Sequence, residues 1–213
     1  MALSFPLPWS SFAARLPIQS AAWKLRRFEE VSWDGASVPS VAEQADPRWT
    51  CKVVLDVMLR DDAVEFQTLI DLHGSSHPLL LHDPMRPAPR ADLDGVLLGA
   101  ATPTLGSVSA SGFSLVGLPP SYAIAVGDLI SVAHGLGQRV ALYAAAQAVA
   151  ANAGGSTPEI PVLPAPRPSA APGDAVTLKN PVGLMIILPE SFDPGRTSGA
   201  VTRDMSFATV EAW

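Results

Sequence analysis

The chain is poor in cysteine, in charge and in long apolar runs. Cys51 is the only cysteine among 213 residues, so no disulfide closes within the chain and no cysteine-based metal site can form. A reducing compartment fits that composition. Charged residues make up 16% of the chain, against roughly a quarter in typical domains. A surface so short of charge is expected to be covered by partners. Lys and Arg together number 14 and cluster only at Lys24–Arg27, which excludes a phosphate-neutralising surface and direct nucleic-acid binding. The net charge of −6 would repel DNA and suits a channel wall better than a DNA-binding site. No run approaches about 18 apolar residues, so no transmembrane helix is expected. The opening Met1–Trp9 lacks a basic region and carries two prolines, so no signal peptide is expected.

What the chain does have is proline, 21 residues of it, concentrated in two crossings at Asp83–Pro89 and Pro158–Pro172. Proline fixes φ and offers no backbone donor, so such stretches mark passages between structural units. They divide the chain into residues 1–90, 91–175 and 176–213. If the last part rejoins the first, the middle is an inserted domain.

The expected fold is mainly β with one helix. From Trp49 the chain alternates, with Trp49, Cys51, Val53, Leu55, Val57 and Leu59 on one face, the pattern of a half-buried strand. Trp23–Arg26 alternates and slips at Arg26–Phe28, which predicts a bulge. Asp34-Gly35 predicts a turn, with a short return strand over Val38–Ala42. A helix is predicted over 61–73, with Asp62 and Glu65 as a capping box. Ala63, Phe66, Leu69, Ile70 and His73 form its buried face, and Gly74 its stop. In the middle part, short apolar runs separated by Asp94-Gly95, Ser111-Gly112, Gly127-Asp128 and Gly135–Gly137 predict a small barrel or sandwich. Ala144–Asn152 has helical propensity, but its alternation and flanking strands favour strand. Phe207–Trp213 also alternates, which predicts a C-terminus held in a sheet.

No motif announces catalysis or a cofactor. His73, His77 and His82 fall at a helix end, in a loop and at a far strand end, which does not converge on a metal. Cys51 lies on an apolar strand face, where a thiol is a small buried hydrophobe. Asp61-Asp62 and Asp94 are taken up by a helix start and a turn, and Gly135-Leu-Gly137 lacks the Lys-Ser/Thr of a phosphate loop. The reading is therefore of a protein without catalytic residues, cofactor or metal. The five tryptophans, Trp9, Trp23, Trp33, Trp49 and Trp213, avoid the middle part and read as core or subunit-contact anchors.

Several phrases, in order along most of the chain, carry a family likeness. They are Ala2–Pro8, Asp46–Trp49 leading into a strand, the helix Asp62–Gly74, and Leu80–Pro89. Gly117–Tyr122 with Gly127-Asp128, Glu159–Pro164 with Arg167-Pro168, and Asn180-Pro181 before an apolar strand continue the series. In these the chain resembles the distal tail proteins of long-tailed bacteriophages, prophages and gene transfer agents. The resemblance implies a β domain with one helix, built from residues 1–90 and 176–213, that closes a homo-hexameric ring. It also implies an inserted barrel over 91–175, similar to an oligonucleotide/oligosaccharide-binding fold. Such a ring would join the tail tube protein to baseplate hub or tip proteins and let DNA through its lumen. The place implied is the virion tail, assembled in the bacterial cytoplasm. The ring contacts expected are Trp49, Val53, Leu55, Val57, Phe207 and Trp213. A rival reading is a carbohydrate-binding module gripping host-surface glycans through the middle barrel, with Tyr122 and Tyr143 as the sugar contacts.

Overall fold

A computed structural model describes residues 5, 12–33, 35, 37–135 and 139–212. The first part holds a 3-10 turn at Ala13–Arg15, then β1 (Ile18–Trp33), β2 (Pro39–Leu55), β3 (Met58–Leu59), α1 (Arg60–His73) and β4 (Leu79–His82). The middle holds β5 (Thr104–Val108), β6 (Gly112–Val116), β7 (Ala123–Ile124) and β8 (Leu129–His134). It continues with β9 (Arg139–Ala145), β10 (Val149–Ala150) and β11 (Ile160–Leu163), and takes in β12 (Val176–Thr177), just past the expected boundary at residue 175. The end supplies β13 (Val182–Ile187), β14 (Arg196–Ser198), β15 (Val201–Arg203) and β16 (Ser206–Glu211). The protein is thus mainly β with one α-helix.

Both chain ends share one antiparallel sheet in the order β1-β2-β16-β13-β4. The middle builds a separate sheet, β12-β8-β9-β11-β6-β5. This second sheet curls until its edges meet. Thr104 bridges Ala175, Leu105 donates its amide to the Asp174 carbonyl at 2.9 Å, and Val176 donates to Pro103 at 3.0 Å. Closing the sheet in this way removes the exposed edges that would otherwise pair with other chains. The second proline crossing is more than a passage, because β11 lies inside it. Ile160 and Pro161 pair with β6, and Val162 and Leu163 with β9. Pro161 sits where the strand changes partner and a missing donor costs least.

Each sheet has its own core. Phe12, Trp49, Val53, Leu55, Phe66, Ile70, Leu81, Met185 and Phe207 fill the first, and Phe113, Leu115, Ile130, Val132, Tyr143 and Ile160 the second. Strands β8 and β9 serve both. Leu129 and Leu142 face the first core while Ile130, Val132, Ala141 and Tyr143 face the second. A strand covered on both faces reads as a continuous apolar run, as Val140–Tyr143 does, and Leu129–Val132 but for Ser131. Residues 144–152 are strand, a bend at 146–147, then strand again.

Helix α1 lays Ala63, Phe66, Ile70 and His73 on the first core, at the three- and four-residue spacing of one helical face. It starts earlier than the sequence predicts. Leu59 is the N-cap and makes no side-chain cap bond, and Glu65 turns away to bind Arg15 at 2.7 Å. Asp61 and Asp62 instead lie in the first turn, where they complement the helix dipole. Gly74 stops the helix at φ 49°, its amide donating to Ile70.

The helix ends on His73, which is fully buried with both ring nitrogens unpartnered. Phe5 stands edge-on to it with ring centres 5.3 Å apart, and Phe12 lies tilted at 4.8 Å. Burial pushes the His73 imidazole below its ordinary value, and the main chain of His77 offsets this only in part. A base depressed in the folded state contributes stability that is complete above its unfolded pKa of about 6.5 and lost as pH falls. The melting temperature is expected to drop between pH 7.5 and pH 5.5. His73→Phe, which keeps the aromatic packing, is expected to flatten part of that slope; the rest comes from His82 and His134, which burial also depresses. Equal slopes in the two proteins would show that His73 does not carry the effect.

Candidate subunit-contact surface

Strands β1 and β2 run well past the sheet they belong to. β16 pairs with β2 only over Thr50–Val54, so Pro39–Arg48 has β1 as its sole strand neighbour. Ten strand residues span roughly 30 Å. The result is a two-stranded arm, exposed on both faces over residues 29–33 and 39–46. The register slips between Arg26 and Phe28, where Arg26 faces Arg48 but Phe28 faces Ala45. That bulge absorbs Pro47, which has no amide to give. A two-stranded ribbon alone is marginally stable in water. This one is held by main-chain pairing and by cross-strand contacts such as Gln44 donating to Glu30 at 2.5 Å. Val31, Trp33, Val38 and Val41 stand exposed on it, Trp33 with 67% of its surface accessible.

The base of the arm is anchored where the two sheets meet. Glu211, near the end of β16, is buried and accepts from the Arg167 guanidinium at 2.9 Å and from the Trp49 amide at 3.3 Å. Trp49 sends its indole N–H to the Leu142 carbonyl at 2.7 Å, and the Arg167 amide donates to the Tyr143 hydroxyl at 3.0 Å. Burial pushes the Glu211 carboxyl above its ordinary range, against the pull of Arg167 and the amides of Trp49 and Leu142. Ser131 adds a further tie, its hydroxyl donating to the Val182 carbonyl at 2.7 Å.

The expected contact residues fall on both sides of the surface. Trp49, Val53, Leu55 and Phe207 are buried in the first core, so their side chains cannot meet a neighbour. They face the core that Phe12 and the α1 residues Phe66 and Ile70 also fill. Val57 is exposed. The face changes because β2 ends at Leu55; the Asp56 amide then donates to Pro17 and its carboxylate takes the Val57 amide. Met58 therefore turns inward, leaving Val57 and Leu59 outside. Trp213 lies outside the described residues, as does all of Ala2–Pro8 except Phe5.

The two expected sugar contacts are core residues. Tyr143 is fully buried and Tyr122 nearly so. The Tyr122 hydroxyl donates to Asp92 at 3.2 Å, and that of Tyr143 takes the Arg167 amide. Neither ring offers a face on which a sugar could stack. Cys51 is buried as well, and burial raises its thiol to about 12. Among the described residues, no three His, Cys, Asp or Glu side chains converge as a metal site, and no helix is long and apolar enough to cross a membrane.

Sequence reading missed the Arg167–Glu211 pair and the length of the arm. The single signal for the first was an arginine inside a proline-rich stretch. Replacing Arg167 by Met leaves a buried carboxylate without its cation, and unfolding in urea is expected to show a loss of about 3–5 kcal/mol. Adding Glu211→Leu to Arg167→Met is expected to recover part of it, since the uncompensated charge goes too. Strictly additive losses would mean the two side chains do not act as a pair. Comparison of the chain with protein-family models and with curated proteins finds no match.

Proposed function

We propose that this chain is a structural, non-enzymatic protein that assembles with itself into a ring, as a distal tail protein does. The observation that carries this reading is the arm. It is a long ribbon whose outer half no other described element of the chain covers, ending in exposed aliphatic and tryptophan side chains. An element of that kind gains its burial from a second molecule, because exposed apolar surface grouped on one element marks a contact site. Six copies, a lumen that passes DNA, and a place between tail tube and baseplate or tip follow from the family resemblance. The net charge of −6 agrees with a lumen to which DNA does not stick. The carbohydrate-binding alternative is weaker, since both of its aromatic contacts are buried.

The assembly is tested by mass. Native mass spectrometry of the full chain is expected to give a hexamer. A variant in which residues 29–43 are replaced by Asn-Gly is expected to keep its melting temperature within a few degrees and to fall to monomer. A full-length chain that stays monomeric, or trimmed protein that still forms hexamers, would overturn the role given to the arm.

A further inference from the structure

The arm sits at one edge of the first sheet, and β4 is the opposite edge. With strands about 4.8 Å apart, the two edges lie roughly 20 Å from each other. A head-to-tail contact that closes into a ring needs two different, complementary patches on opposite sides of one subunit.

Such a patch follows β4. The segment from Asp83 to Gly99 contains no strand, yet hydrogen bonds hold it in shape. Asp83 accepts the Met85 amide at 3.0 Å and the Arg86 side chain at 2.6 Å. Asp92 accepts the Leu97 and Leu98 amides, both at 2.9 Å. Asp128 accepts the Ala125 amide at 2.7 Å and the Arg90 amide at 3.2 Å, while Arg90 also donates to the Val126 carbonyl. These three acids are buried. Outside remain Met85, 78% accessible, with Leu93 and Val126, and the Arg90 side chain at 63%. Together with Ala88 and Arg86 they line a groove of 230 Å³. Asp94 is the exposed acid of the segment.

The arm carries the matching pattern. Its register sets Glu29 opposite Glu43, Val31 opposite Val41, and Trp33 opposite Pro39. Because side chains alternate along a strand, these six share one face. That face reads as two facing carboxylates followed by an apolar end. Facing like charges destabilise a strand pair by themselves; Arg27 holds Glu29 at 3.1 Å, and Glu43 offers its carboxylate to a cation from elsewhere. Residues 28–45 contain Glu29, Glu30, Asp34 and Glu43 and no lysine or arginine.

We propose that the arm of one copy seats this face in the groove of the next copy. Val31, Trp33 and Val41 then cover Met85, Leu93 and Val126, and Glu43 meets Arg90, whose side chain is 63% accessible although it also reaches Asp128 at 3.4 Å. The inference rests on the self-assembly reading and goes beyond it by naming the two surfaces.

The test is a chain carrying Val41→Cys and Leu93→Cys, treated with a short bismaleimide and run on a denaturing gel beside native mass spectra. The native thiol at Cys51 is buried and serves as the silent background. A ladder of covalent multimers from the double variant, with none from either single variant, is the expected result. Hexamers that give no ladder would overturn the arm-to-groove contact and leave self-assembly standing. Protein that remains monomeric would overturn both. As a second reading, Leu93→Asp on the unmodified chain is expected to raise the concentration needed for assembly by about tenfold or more without changing the melting temperature. An unchanged assembly midpoint would count against the groove.

Discussion

The buried pair of Arg167 and Glu211 is the constraint on which the rest of this molecule depends. It joins residues 44 positions apart, one from the end of the middle part and one from the closing strand of the first sheet. Two ions taken out of water cost several kcal/mol each, so the pair survives only in a docking that satisfies both. Any other placement of the second sheet against the first would strand two buried charges. The same carboxylate receives the Trp49 amide, and Trp49 reaches across to Leu142. The base of the arm, the last strand and the middle sheet are thus tied at one point.

That tie decides what is left for the outside. With β8 and β9 covered on both faces and Trp49, Val53, Leu55 and Phe207 used inside, the side chains best suited to a subunit contact are spent on the fold. Of the apolar surface that remains, the arm carries Val31, Trp33, Val38 and Val41 and the segment after β4 carries Met85, Leu93, Val96 and Leu97, with a third group at Val57, Leu59 and Val64. The separation of the first two across the sheet gives the subunit two unlike ends. In the proposed assembly these two unlike ends let copies join head to tail, as a closed ring requires.

Much of the fold was legible because burial on one face imposes a period. The alternation from Trp49 to Leu55, the helical spacing of Ala63, Phe66, Ile70 and His73, and the slip at Arg26–Phe28 all reappear as strand, helix and bulge. The return strand was read as Val38–Ala42 but runs Pro39–Leu55. Neither face of its outer half is buried, so nothing imposed a pattern on Glu43, Gln44, Ala45 and Asp46. At 144–152 alternation favoured strand over helix, and strand is found at 144–145 and 149–150 with a bend at 146–147 between them. For the contact surface, the sequence pointed to large apolar residues. It could not separate those that fill a core from those that wait for a partner. Trp33 and Trp49 look alike in sequence; one is exposed and the other buried because only the second lies on the first core, with its indole N–H on the Leu142 carbonyl. The pairing of Arg167 with Glu211 left only an arginine inside a proline-rich stretch as its trace, being a product of how the two sheets dock.

Electron-microscope images of the purified full-length chain, sorted into class averages, test the central claim most directly. The account predicts rings with six-fold symmetry, an open centre, and continuous density from each subunit onto its neighbour. Isolated particles the size of a single chain, or symmetric pairs with no open centre, would contradict it.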